Sequence, residues 1–164
     1  MRFVLLGGGN QKAKIQKLAE GIDRIQLIAP QSDEEFSATL RSADILLVNE
    51  MPGLREMAVP SKLTSYFASG LPVVAATEAD STTAGEIEFS EAGIRIDPGN
   101  PHELLKTVLD LATNPALTKQ LGRSGKHYAE HTLSEEAAII KYSAWLRNLA
   151  SAKGNVDSHQ TTIS

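Results

Sequence analysis

A helix that stops on a glycine and passes at once into a run of apolar, mostly branched residues leaves few options for the architecture around it. In the stretch Val59–Ala75, VPSKLTSYFASGLPVVA, Pro60 suits the first turn of a helix, where its missing N–H leaves no bond unmade, and Leu63, Tyr66 and Phe67 form an apolar stripe at helical spacing. Gly70 ends that helix. Leu71-Pro72-Val73-Val74-Ala75-Ala76 follows without polar alternation, the pattern of a parallel strand covered on both faces.

The same alternation runs through the chain. Strands are expected at 2–6, 25–29 and 44–48, helices at 10–20 and 33–41, and Gly93-Ile94-Arg95-Ile96 gives a fifth strand. Helices at 101–114, 115–131 and 134–150 then follow without strands between them. The expected fold class is α/β, a Rossmann-like parallel sheet of about five strands flanked by helices, with a helical C-terminal extension. A chain of 164 residues buries roughly two-thirds of its unfolded surface, so 1–150 is read as one domain. Residues 151–164 are small and polar with no apolar period, and are expected to be a disordered tail.

Helix starts carry local signatures. Asn100 is placed to cap the next helix, with Pro101 at its first position and Glu103 completing a capping box. Asn114-Pro115 separates two helices, because the residue before proline avoids the helical region. Ser134 with Glu135 and Glu136 opens the last one, acids in its first turn. That helix carries Ala138, Tyr142, Trp145, Leu146 and Leu149 on one side, a face expected to pack on this domain's own sheet or helices, the alternative being an interface.

Composition removes several function classes. The net charge of −4 is spread over both signs, which disfavours nucleic acid and a cationic membrane-binding face. The absence of cysteine excludes disulfides and thiolate metal sites and suits a reducing cytoplasm. The apolar start, Arg2 to Gly7, is too short for a signal peptide or a membrane span.

Gly7-Gly8-Gly9-Asn10-Gln11-Lys12 follows a strand and opens a helix, so its backbone N–H groups can approach a phosphate, as they can equally form a plain tight turn. Lys12 stands where a dinucleotide fingerprint has its third glycine, the second strand ends in Ala29-Pro30-Gln31 rather than a ribose-binding acid, and no Gly-Lys-Ser/Thr completes a P-loop. Ser61 and Lys62 bring a hydroxyl, helix N–H groups and an ammonium to one helix start, where a diphosphate would fit; otherwise Ser61 merely caps and Lys62 is solvated. His127 and His131 lie four apart, but no third ligand is spaced to join them, so no metal site is expected. Glu78, Asp80, Glu86, Glu88 and Glu91 cluster after the fourth strand, where two acids could serve as general acid and base, yet spacing alone pairs none of them.

Taken together, PSKLTSYFASGLPVVAATEAD, AGIRIDPGNPHELLKTVLDLATNPAL and KQLGRSGKHYAEHTLS resemble the C-terminal half of GT-B glycosyltransferases, in particular the colanic-acid and capsular-polysaccharide branch of the family-4 retaining enzymes. The resemblance covers Arg2 to Leu149 and implies the donor-binding half of a hexosyltransferase-type enzyme in polysaccharide or cell-surface glycan synthesis. It implies a UDP- or GDP-sugar as substrate and no cofactor. By it, Gly8 and Gly9 line the phosphate side, Pro30-Gln31 approaches the base, and Ser61, Lys62 and Leu63 hold the diphosphate. Ser65 stands where many relatives carry a ribose-gripping glutamate. Relatives also begin this domain with an extra strand and glycine-rich loop, and carry a separate acceptor domain. No transfer is therefore expected from this chain alone, and a partner is expected, either an acceptor-domain chain or a second copy through the 134–150 helix. The implied location is the cytoplasm, with the inner membrane reached only through a partner. A non-catalytic binding or interaction module is the alternative, and an epimerase of the same architecture lacks a supporting histidine–acid arrangement.

Overall fold

The computed structural model describes residues 1–53 and 61–154. They form two compact units, Met1–Ala43 and Asp44 onward, each taken by itself below. All five expected strands are present and every hydrogen-bonded neighbour runs parallel.

In the first unit β1 (Phe3–Leu6) pairs with β2 (Ile25–Ile28), with α1 (Lys12–Ala19) between them and α2 (Asp33–Arg41) following. None of its residues is fully buried, and Val4, Leu18 and Ile22 stay exposed. Ser32 begins α2 with a full capping box: its hydroxyl accepts from the Glu35 N–H while the Glu35 carboxylate accepts from the Ser32 N–H at 2.9 Å. The Ser32 backbone N–H and hydroxyl hold the Glu35 carboxyl below the usual carboxylate range.

The second unit holds the core. β3 (Leu46–Asn49), β4 (Val73–Ala76) and β5 (Gly93–Ile96) form a parallel sheet in that order, linked by α3 (Ser61–Ser69) and α4 (Thr82–Ser90) and followed by α5 (Pro101–Ala112), α6 (Pro115–His131) and α7 (Glu135–Gly154). Every residue of β4 is buried. Val74 and Ala76 point to one face, into a cluster with Ile96, Leu111 and Leu121, flanked by Leu104, Val108 and Leu117 of α5 and α6. Val73 and Ala75 point to the other, and Leu63, Phe67, Ala84 and Ile87 of α3 and α4 are buried with them. A strand buried on both faces is the arrangement that a run without polar alternation demands.

Glycines set how closely α6 approaches its neighbours. A Cβ on Gly122 would lie 2.0 Å from the Gly70 carbonyl oxygen, and one on Gly125 would lie 2.9 Å from the Ala92 Cβ. Gly70 has φ +73° and its N–H bonds to the Phe67 carbonyl, so α3 ends there as the sequence implied. Phe67, fully buried, meets Tyr128 of α6 edge to face at 5.8 Å, and the Tyr128 hydroxyl donates to Glu86 of α4 at 3.1 Å.

Three expectations change in detail. At α5, Asn100 does cap the Glu103 N–H, but the Glu103 carboxylate takes the Asn100 side-chain amide rather than its backbone N–H, so no capping box closes. The last helix continues to Gly154, past the expected boundary at 150, while Pro60 and the tail from 155 lie outside the described residues. Its apolar face does not pack on this domain. Tyr142 is 67% exposed, Trp145 56% and Leu146 58%, because Ile139 and Ile140 on adjoining sides make the helix apolar around much of its girth instead of along one stripe. None of the described helices is long and apolar enough to cross a membrane.

Gly122→Ala is expected to lower unfolding free energy by about 1–3 kcal/mol or more through backbone overlap with Gly70. Gly85→Ala, whose Cβ would meet nothing nearer than Phe89 at 3.9 Å, is expected to raise it by about 0.5–1 kcal/mol; urea unfolding of both variants checks the contrast. Tyr128 titrates above the ordinary tyrosine range, first through burial and then through its bond to Glu86, and burial does the same to Tyr66. A raised folded-state pKa gives stability that is complete below the unfolded value near 10 and is lost as pH rises through the folded one. Alkaline unfolding should therefore steepen above about pH 10, and Tyr128→Phe should shed its part of that dependence.

Candidate functional site

Open parallel sheets bind ligands beyond the carboxyl ends of their strands, and in the second unit three loops meet there. Glu50 follows β3, Thr77 follows β4, and Asp97 follows β5. Beside them lies a cleft of about 290 Å³ lined by Asn49 at the end of β3, Glu50, Met51 and Pro52 of the loop after it, Ala76 at the end of β4, and Gly99, Asn100 and Leu104 from the last loop and α5.

Hydrogen bonds tie the three loops together. The Thr83 hydroxyl donates to one Glu50 carboxylate oxygen at 2.6 Å and the Thr77 hydroxyl donates to the other. Since the Thr77 proton is committed to Glu50, the Ser81 hydroxyl, 2.7 Å away, donates to Thr77, and Ser81 in turn caps α4 by accepting from the Ala84 N–H at 3.0 Å. A relay of polarised bonds thus leads from the α4 N-terminus to a carboxylate, which serves as that helix end's anion. Thr77, Ser81 and Thr83 are buried. Arg95 of β5 donates from Nε to the Thr77 carbonyl at 2.9 Å and pairs with Asp97. Gly53 donates to Glu78 at 2.8 Å, and a Cβ on Gly99 would stand 3.0 Å from Pro52.

The expected site residues fall into one group per unit. In the first, Gly8 lies against Pro30, a Cβ on it coming within 3.3 Å of the Pro30 ring, while Gly7 and Gly9 both have φ +145°, a region that L side chains rarely adopt. The helix that follows has no side-chain cap and no acid in its first turn. Gln31 is held by a bond from the Thr39 hydroxyl at 2.7 Å. In the second, Ser61 and Lys62 open α3 with exposed side chains. The nine residues of α3 span about 13 Å, close to the length of a four-residue strand, and its C-terminus leads directly into β4, so its N-terminus stands level with the strands' carboxyl ends. Leu63 buries its side chain in the core and offers a ligand only its backbone N–H; Ser65 is exposed one turn on.

The expected acid cluster disperses. Glu78 bonds to Gly53, Glu86 receives the Tyr128 hydroxyl, Glu88 is exposed on α4, and Glu91 ends that helix at φ +49°. His127 and His131 stack with ring centroids 4.1 Å apart, but the His131 Nδ1 turns to the His127 carbonyl at 2.9 Å. Among the described residues no three His, Cys, Asp or Glu side chains gather as for a metal ion. Nothing local in the sequence marks Glu50, since its partners lie 27 and 33 positions away.

Parallel strands with crossover helices and a ligand-facing rim define the class of α/β proteins that hold ligands at strand ends. A family model described as "Glycosyl transferases group 1" matches residues 1–114, and the chain belongs to that family. WcaI of Escherichia coli (strain K12), named for glycosyl transfer in colanic acid biosynthesis, is 27% identical over 144 residues, which are 85% of this chain and 34% of that protein. The chain thus spans about a third of that relative's length. Among solved structures, sucrose-phosphate synthase of Thermosynechococcus elongatus superposes with TM-score 0.69 at 20% identity, covering 91% of this chain and 38% of that one. Anabaena HepE in complex with UDP superposes with TM-score 0.70 at 16% identity, covering 93% and 41%. The fold is that of the GT-B enzymes, as the resemblance to their C-terminal half implied.

Glu50→Ala is expected to leave the hydroxyls of Thr77 and Thr83 without their acceptor and to cost about 1–3 kcal/mol in unfolding free energy, measurable by denaturant titration.

Proposed function

We propose that this chain is the donor-binding part of a glycosyltransferase, and that Ser61, Lys62, the Leu63 N–H and Ser65 hold the diphosphate and adjoining ribose of a UDP- or GDP-sugar. One observation carries the reading. Three helices of the second unit, α3, α4 and α5, begin beside strand carboxyl ends, and two of them already have an anion. The α4 terminus is served by Glu50, and α5 has Glu103 in its first turn. The α3 terminus has no acid in its first turn and carries Lys62, for which no described residue supplies a carboxylate. The helix's first N–H groups, its dipole and an ammonium there favour a ligand anion.

Gly8, Gly9, Pro30 and Gln31 keep within this reading the phosphate-side and base-side roles that the resemblance gives them. The exposed face of α7 is the surface for the acceptor-domain chain or second copy expected as partner. Sugar transfer requires donor and acceptor held together and the departing diphosphate neutralised. Residues 1–164 supply the donor side of that task, in exopolysaccharide or cell-surface glycan synthesis in the cytoplasm, and are not expected to turn over alone.

Calorimetric titration with UDP and GDP, repeated on Lys62→Ala, tests the assignment. A loss of about three- to tenfold in affinity, the scale of one charged hydrogen bond, is the expected result. Unchanged affinity in the variant removes Lys62 from the site.

A further inference from the structure

The loop that leaves β3 is fastened at each described end. Glu50 at its start is gripped by two buried threonine hydroxyls, and Gly53, with φ +78°, donates its N–H to Glu78. Between them Pro52 rests on Gly99 of the loop after β5. The fastenings come from three different elements: Thr77 and Glu78 follow β4, Thr83 lies in the first turn of α4, and Gly99 follows β5. Stability alone does not call for this arrangement, since apolar side chains of the same shape fill such positions at little or no loss, whereas a half-buried carboxylate has to be desolvated and fully partnered. What the polar version adds is one fixed geometry, because each hydroxyl and each carboxylate oxygen has an assigned direction.

We propose that Glu50 and Glu78 are positioning residues for the nucleotide site, acting through the loop Glu50–Gly53 rather than by touching the ligand. This rests on the reading of Ser61 and Lys62 as the diphosphate site. Glu50 has a double effect: it fixes the exit of β3, Glu50–Gly53, on the edge of the sheet where α3 also begins, and it answers the α4 N-terminus, whereas among the described residues no carboxylate answers that of α3. Thr83 acts one step further out, by orienting Glu50.

Four substitutions in the full chain test this, with nucleotide affinity by calorimetry and melting temperature read in parallel. Thr83→Val keeps the shape and removes the hydroxyl; it is expected to weaken UDP or GDP binding by about three- to tenfold and to lower the melting temperature, because one Glu50 oxygen loses its donor, and Thr83→Ser is expected to restore both. Glu78→Ala, at a solvent-exposed bond that cannot unfold the core, is expected to weaken binding similarly, and Glu78→Gln, whose amide oxygen still accepts from Gly53, to restore it. If Lys62→Ala weakens binding while Thr83→Val and Glu78→Ala leave it unchanged, the positioning role is overturned and the diphosphate site stands. If Thr83→Val lowers the melting temperature without altering affinity, the strap is structural only. If the unaltered chain binds neither nucleotide, both assignments fall together.

Discussion

Burial of β4 on both faces is the constraint from which the second unit follows. Val73, Val74, Ala75 and Ala76 bury their side chains alternately above and below the sheet, and the strand exchanges its backbone bonds with β3 and β5. Such a strand can exist only if helices cover both sides, and short crossovers in a parallel sheet deliver them in one hand. The small residues at positions 75 and 76 let those helices come close. The glycines of α6 extend the same economy of space, since Gly122 lies against the backbone at Gly70 and Gly125 against Phe67 and Ala92. With α6 seated there, the end of α3 is fixed at Gly70, and its beginning, nine residues earlier, is carried to the strand ends.

How much of this could be read from residue order depended on the range of the interaction. β4, α3 and the turn at Gly70 were legible because period, length and a positive-φ residue are local signals. The capping box at Ser32 and Glu35 carries the serine-x-x-glutamate pattern and was open to the same reading. Glu50 was not, because a carboxylate held by residues 27 and 33 positions away leaves no local trace and stands at the end of an apolar run like any strand terminus. The last helix misled for a different reason: the stripe Ala138, Tyr142, Trp145, Leu149 matches core packing, yet Ile139 and Ile140 beside it were the sign that no single face was being prepared for this domain's own core. Ser61 and Lys62 were legible as a helix start, but that the α4 terminus is answered by a carboxylate from another loop required knowing where Glu50 goes.

Helix N-termini stand along the carboxyl edge of the second unit's sheet, and α4 shows how the protein answers one with its own charge. A terminus satisfied by the protein's own carboxylate gains up to ~2 kcal/mol in a partly buried setting and binds nothing else, since a second anion would meet repulsion. At α4 the satisfaction is indirect, passing through Ser81 and Thr77, and this costs more buried polar groups than a single capping aspartate would. The longer route places the negative charge on the β3 loop rather than on the helix itself. One carboxylate thereby answers a helix dipole and fixes a neighbouring strand's exit.

That economy has a consequence for how such a rim can vary. A capping residue on α4 could be exchanged without disturbing β3, but a carboxylate shared between the two cannot, because changing it alters a helix terminus and a loop at once. Loops tied in this way move together or not at all, which preserves the geometry needed to hold a charged group within hydrogen-bonding distance of a helix start. Where strand exits are joined only by loops, rigidity of that kind has to come from side chains bridging neighbouring strands, and in this chain it comes from two threonines, one serine and one glutamate.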